Sequence, residues 1–140
     1  WEVTHTCGVD VDGNGCGDDD ASKDNDATAE ADYVIVCIGE GNYAEKPGDI
    51  RDLSLPSGQI EYVERQVREA AGGKVIVVYF GGRPRLLGRI PDVADAVVVA
   101  FLPGPDAGRA VIDLIGPKVG MDHTPSGRLP ITYPKYQDGG

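Results

Sequence analysis

Glu40, Glu45 and Asp49 fall close together in Gly39-Glu40-Gly41-Asn42-Tyr43-Ala44-Glu45-Lys46-Pro47-Gly48-Asp49. Carboxyl groups are among the side chains that carry protons in acid–base chemistry, and they do that work when an element of the fold positions them against the reacting group. The element here is the run before them, Asp32-Tyr33-Val34-Ile35-Val36-Cys37-Ile38. It is continuously apolar rather than alternating, which predicts a strand over 33–38 covered on both faces, with Cys37 as a small buried residue. Open α/β sheets place their chemistry just beyond the carboxyl ends of such strands. Glu40 sits at that end, whereas Glu45 and Asp49 lie further out on a loop containing glycine and proline. A role that needs close placement therefore favours Glu40, with Glu45 as the alternative.

The rest of the chain supplies more elements of the same kind. Ser57 is a candidate N-cap for a helix over 58–71, in which Ile60, Val63, Val67, Ala70 and Ala71 recur at helical spacing until Gly72-Gly73 stops it. Its other face carries Glu61, Glu64, Arg65, Arg68 and Glu69 and reads as solvated surface. Ala27 to Ala31 reads as the end of a short helix before the first strand. A second buried strand is predicted over 74–80, a short helical crossover over 86–90, a third strand over 95–102 and a second helix over 107–115 with Ala110, Val111, Leu114 and Ile115 as its apolar side. Strand and helix alternate as in βαβ units stacked into a parallel sheet, so the three strands should be parallel and adjacent. The tail from Ser126 to Pro134 has prolines four apart and is limited to an edge strand or extended cover. The fold class is α/β: a layered sandwich with a mostly parallel sheet. Residues 1–31 form an acidic Gly/Asp-rich arm and 32–140 the sandwich domain.

At 140 residues the chain is one domain, able to bury about two-thirds of its unfolded surface. Its formal charge of −10 argues against nucleic acid and against anionic membranes as partners, because both select for surplus Lys and Arg. No run of about 18 apolar residues is present to span a bilayer. Cys7 and Cys16 are placed to close a short loop, though spacing alone leaves that pairing open. The start at Trp1 reads as a processed or excised piece rather than a translation start.

Five segments in order then form a recognisable series: Val36 to Glu45 with Gly48-Asp49, Asp52-Leu53-Ser54-Leu55, Gly82-Arg83-Pro84, Ala100-Phe101-Leu102-Pro103-Gly104, and Pro125-Ser126-Gly127-Arg128-Leu129-Pro130. This series resembles the second, α/β-sandwich domain of family 3 glycoside hydrolases, in the branch of β-glucosidases and exo-β-glucanases, from about Asp32 to Pro134. The resemblance implies retaining hydrolysis of a β-linked glucoside or oligosaccharide. A barrel domain would supply an aspartate nucleophile, and this domain would supply a glutamate as acid/base, the two carboxyl groups about 5–5.5 Å apart. On this chain the acid/base maps to Glu40, with Glu45 as the alternative. It also implies a secreted or extracellular setting and no cofactor. Two departures stand out: the family's opening strand and glycine-rich turn are absent ahead of Trp1, and 116–124 lacks the usual aromatic-glycine-aspartate turn. No barrel is present in 140 residues, so truncation at the N-terminal side is expected and the chain carries half an active site.

Other residues leave readings open. Tyr43 is either a sugar platform or a pin between loop and sheet. Asp49 is a candidate sugar ligand, or with Asp52 an organiser of the loop backbone. Arg83 and Arg128 either meet sugar hydroxyls or pair with the loop carboxylates. Asp10, Asp12, Asn14 and Asp18 approximate a calcium loop, but Ala21 stands where the bidentate glutamate belongs. His5 and His123 lie far apart and make a poor zinc pair. A stand-alone carbohydrate-binding or storage-like protein with the sandwich but no catalysis is the competing function, and a calcium-stabilised structural module a third.

Overall fold

In a computed structural model of the chain, residues 2–5, 8–15, 28–116 and 128–137 are described. Cys7, residues 16–27 of the acidic arm with Cys16, Asp18 and Ala21, His123, and the Pro125-Ser126-Gly127 part of the last motif lie outside them. Three strands make one parallel sheet in chain order: β1 (Tyr33–Gly39), β2 (Lys74–Phe80) and β3 (Ala96–Phe101). β1 runs beside β2 in unbroken register from Tyr33 opposite Lys74 to Gly39 opposite Phe80. β2 pairs with β3 from Ile76 opposite Ala96, and an irregularity between Tyr79 and Phe80 brings Phe80 opposite Phe101. Helix α1 (Ser57–Glu69) connects β1 to β2, short α2 (Ile90–Val93) connects β2 to β3, and α3 (Ala107–Ile115) follows β3. The chain is thus α/β with a parallel sheet, and its strands begin and end within one residue of the predicted bounds.

One face of the sheet makes the core. Val34, Val36 and Ile38 of β1 stand beside Val75, Val77 and Tyr79 of β2, and Val97 and Val99 of β3 complete the rows. Against this face pack Val63, Ile60 and Val67 of α1, with Leu55, Leu87 and Ile90 at the rim. The β-branched side chains suit a pleated surface that is covered by a helix.

The opposite face departs from expectation at β1. Tyr33, Ile35 and Cys37 are exposed there. A strand covered on both faces needs neighbours above and below, and among the described residues β1 is an edge strand with α1 packed on one face. Cys37 therefore points outward as a free thiol because side chains alternate along a strand. The central strand β2 does meet the prediction, with Val75, Val77, Val78 and Tyr79 all buried.

Three smaller corrections have local causes. Ser57 is the first helical residue rather than the cap; extended Pro56 holds the cap position without a side-chain bond, and its carbonyl accepts the Gln59 N–H. Leu86 does not begin a helical crossover. It pairs with Ser54 in a parallel bridge, so the helix starts only at Ile90. In α3 only Val111 is buried, and Leu114 and Ile112 are exposed. The tail from Arg128 makes no strand and serves as extended cover: the Tyr133 ring meets Tyr79 edge-on at 6.3 Å, and the Gln137 amide bonds the Leu53 N–H and the Arg51 carbonyl.

The strand exit that carries Glu40 is locked by Gln59, a buried polar residue of α1. Its Oε1 accepts the Gly39 N–H at 3.0 Å, and its Nε2 donates to the carbonyls of Gly39 at 2.9 Å and Val11 at 2.6 Å. One amide thereby joins helix, strand end and N-terminal turn. Gln59→Leu keeps the volume but strands these backbone groups, each at a cost of about 1–3 kcal/mol. The domain is expected to lose about 3 kcal/mol, read as a lower urea midpoint at unchanged slope.

Candidate active site

The exits of all three strands meet at one edge of the sheet. Glu40 follows β1 directly, its N–H donating to the Phe80 carbonyl at 2.9 Å. Residues 81–85 follow β2 and run alongside it. The Glu40 side chain is only 9% exposed, and a carboxylate so enclosed must be paired. Arg85 Nη1 lies 2.6 Å from Oε1 and Arg83 Nε 3.3 Å from the same oxygen. The Arg83 Nε–H is not aligned for a hydrogen bond, so that contact is purely ionic. Oε2 is approached by the Tyr43 hydroxyl at 3.2 Å and the Tyr79 hydroxyl at 3.3 Å.

Each partner is itself held. Arg85 donates from Nε to the Leu53 carbonyl at 2.9 Å and from Nη2 to the Ser54 carbonyl, which binds the Glu40 pair to the segment leading into α1. Tyr79 also reaches the Arg83 carbonyl at 3.1 Å. Tyr43 accepts the Gly82 N–H at 3.0 Å, and its ring lies under the Arg83 guanidinium, 3.8 Å from centroid to Cζ. Gly48 packs on that ring so closely that an added Cβ would stand 2.8 Å from Tyr43 Cδ2. Of the two roles open to Tyr43, the pin between loop and sheet is the one the geometry displays.

The loop acids fare differently. Glu45 is exposed, and its carboxylate has no hydrogen bond or ion pair among the described residues. Its backbone lies at φ 54, ψ −151, a region that glycine enters freely and other residues seldom do. The Glu45 carbonyl accepts the Gly48 N–H at 2.9 Å, closing a single 3-10 turn over Lys46–Gly48. Asp49 is exposed, with its side chain likewise unbonded among the described residues. Asp52 does organise the backbone: its Oδ1 accepts the Ser54 N–H at 2.8 Å, and that bond lowers its pKa. Arg128 is exposed and joins no ion pair among the described residues.

In the N-terminal turn, Asp10 Oδ1 accepts the N–H groups of Asp12 at 2.9 Å and Asn14 at 2.8 Å, and the Asn14 amide covers Oδ2 at 3.1 Å. These bonds, Asn14 foremost, lower the Asp10 pKa. The carboxylate is thus spent on its own turn, and no group of three metal-binding side chains occurs among the described residues. Sequence reasoning missed Arg85, Tyr79 and Gln59. A second arginine two positions after Arg83, on the same side of an extended segment, was the available signal for Arg85. Nothing marked Tyr79 or Gln59, which looked like an apolar strand residue and a helix surface residue.

A family model described as glycosyl hydrolase family 3 C-terminal domain matches residues 5–139. A lysosomal beta glucosidase of Dictyostelium discoideum is 38% identical over 107 residues, covering 74% of this chain and 12% of that protein. A periplasmic beta-glucosidase of Salmonella typhimurium is 28% identical over 110 residues, covering 78% and 14%. The crystal structure of a Listeria innocua beta-glucosidase in complex with gluconolactone superposes with a TM-score of 0.71 at 25% identity, over 84% of this chain and 16% of that one. The chain therefore spans less than a fifth of the length of these relatives. Among the described residues no helix is long and apolar enough to cross a membrane.

Two expectations follow from this geometry. A glycine relieves the positive φ at position 45 whereas alanine does not, so Glu45→Gly should be more stable than Glu45→Ala by about 1 kcal/mol, measured by thermal or urea unfolding. The second concerns the phenols. Burial, and after it the Glu40 charge, push Tyr79 far above the ordinary phenol value, and the same two causes raise Tyr133. The folded state holds these protons more tightly than the unfolded chain does. Their stabilisation is complete below the unfolded phenol value of about 10 and is lost as pH rises through the raised folded values. Stability should fall above about pH 10, and Tyr79→Phe should flatten that fall in urea midpoints taken across the range.

Proposed function

The chain belongs to the C-terminal domain family of glycosyl hydrolase family 3, and from that membership we propose that it forms one wall of the active site of a retaining β-glucosidase-type enzyme, with Glu45 as acid/base. The carrying observation is the division of labour between the two glutamates. Glu40 has both oxygens taken by two guanidinium groups and two phenols, whereas a general acid must present an O–H to the leaving oxygen. Glu45 offers a carboxyl group that nothing described engages, on a loop anchored at both ends. Sequence position favoured Glu40 for its rigidity; the pairing of Glu40 with Arg83, Arg85, Tyr43 and Tyr79 supports reading it as part of the frame and Glu45 as the proton carrier.

The chemistry has two steps. Glu45 protonates the oxygen leaving the anomeric carbon while a carboxylate from another domain attacks that carbon. Glu45 then removes a proton from water as the water displaces that carboxylate. The nucleophile is assigned to a barrel domain, as in the family, outside these 140 residues. The substrate is a β-linked glucoside or oligosaccharide, and Asp49 and the open edge of Tyr43 are the groups offered to its hydroxyls. A location outside the cytoplasm accords with relatives named lysosomal and periplasmic.

The isolated chain should give no turnover of aryl β-glucosides, because without a nucleophile the covalent step is lost. In the complete protein, Glu45→Ala should slow β-glucosides with poor leaving groups by about 10²–10⁴-fold. Dinitrophenyl β-glucoside should lose far less at the glycosylation step, and azide should restore its turnover by replacing water at the glycosyl-enzyme. If Glu40→Ala shows this signature and Glu45→Ala does not, the assignment of the two glutamates is reversed.

A further inference from the structure

We infer that Arg83 is a positioning residue for Glu45, holding the loop on both sides of that glutamate with one side chain; the inference rests on the reading of Glu45 as acid/base. The Arg83 side chain is 19% exposed. Its guanidinium stacks on Tyr43, two residues before Glu45, and its Nη1 donates to the Gly48 carbonyl at 2.6 Å, three residues after. The backbone bonds described in this stretch are local turns, from Gly48 N–H to the Glu45 carbonyl and from Asp49 N–H to the Lys46 carbonyl, and neither ties the loop to the sheet.

The backbone at Glu45 gives this clamp its purpose. A non-glycine residue at φ 54, ψ −151 persists only where its surroundings over-determine it, and here the surroundings are the two ends of the loop. A guanidinium can lie flat on a ring while donating in its own plane, which an ammonium cannot do. Arg85 has a separate task, since its bonds run to Glu40, Leu53 and Ser54 and bypass the loop. Release of the clamp lets Glu45 drift from its aim, and a displacement of about 1 Å in a reacting group costs about 10²-fold in rate.

The test uses the complete enzyme and kcat/KM for two β-glucosides, one with a poor leaving group and one with dinitrophenolate. Arg83→Lys, which keeps the charge beside Glu40, should lower the first by about 10–100-fold and the second by less than about threefold. Placed on Glu45→Ala, the same substitution should cost nothing further on the poor leaving group, because the group it aims is gone. Equal losses on both substrates, or the same loss with and without Glu45, would overturn the inference by marking Arg83 as merely structural. If Glu45→Ala alone lacks leaving-group dependence and azide rescue, the reading of Glu45 fails, and the positioning role falls with it. Should Arg83→Lys fail to fold, Tyr43→Leu removes the stacking surface together with the hydroxyl's bonds to Glu40 and Gly82, and Tyr43→Phe, which removes those bonds alone, is its control. Relative to Tyr43→Phe, Tyr43→Leu should lower kcat/KM more on the poor leaving group than on the dinitrophenyl glucoside, a shared loss of sugar binding cancelling in that ratio, and should speed hydrogen exchange at the amides of 44–48; unchanged exchange there would overturn the clamp.

Discussion

A carboxylate enclosed at the end of a strand cannot stay there unpaired, and the satisfaction of Glu40 organises the whole functional edge. Removing one partner from a buried ion pair costs about 3–5 kcal/mol, although the intact pair contributes little net stability. The four partners of Glu40 come from three separate segments: Arg83 and Arg85 beyond β2, Tyr43 in the loop after β1, and Tyr79 inside β2. Through Arg85 the pair reaches Leu53 and Ser54. Glu40 is thus a junction whose geometry specifies where each loop leaves the sheet.

That junction works because the sheet beneath it is rigid on the side that matters. Gln59 ties the last residue of β1 to α1, and the unbroken register of β1 with β2 brings Glu40 level with the start of the 81–85 segment. Two of the three non-glycine residues with positive φ among the described residues lie at this edge, Glu45 with φ 54 and Phe101, the last residue of β3, with φ 55; the third, Ala71, ends the helix before β2. Strain placed next to a stiff sheet and a tight ion-pair network is strain the fold can sustain.

Two acids five residues apart in sequence consequently do different things. Glu40 is spent on architecture, with donors on both oxygens, and the Glu45 carboxylate meets no partner among the described residues. A stiff frame that delivers one unencumbered carboxyl group to an open face is what a domain needs if it shares a cleft with a second one.

Local physics made most of the fold legible. Val- and Ile-rich runs at 33–39, 74–80 and 96–101 form strands because β-branched side chains favour the pleated backbone wherever they occur, and the 57–69 helix follows from apolar spacing and the Gly72-Gly73 stop. The series of short motifs identified the family. Which face of β1 is covered, and so the fate of Cys37, depended on what packs above it, a matter the strand's own residues do not encode. The enclosure of Glu40 and the hold on the loop that carries Glu45 were decided by contacts across long separations, Glu40 with Arg85 and Gly48 with Arg83. Spacing along a chain reports which groups are near in sequence, but the availability of a carboxyl group depends on what surrounds it, and only the tertiary structure brings those neighbours together.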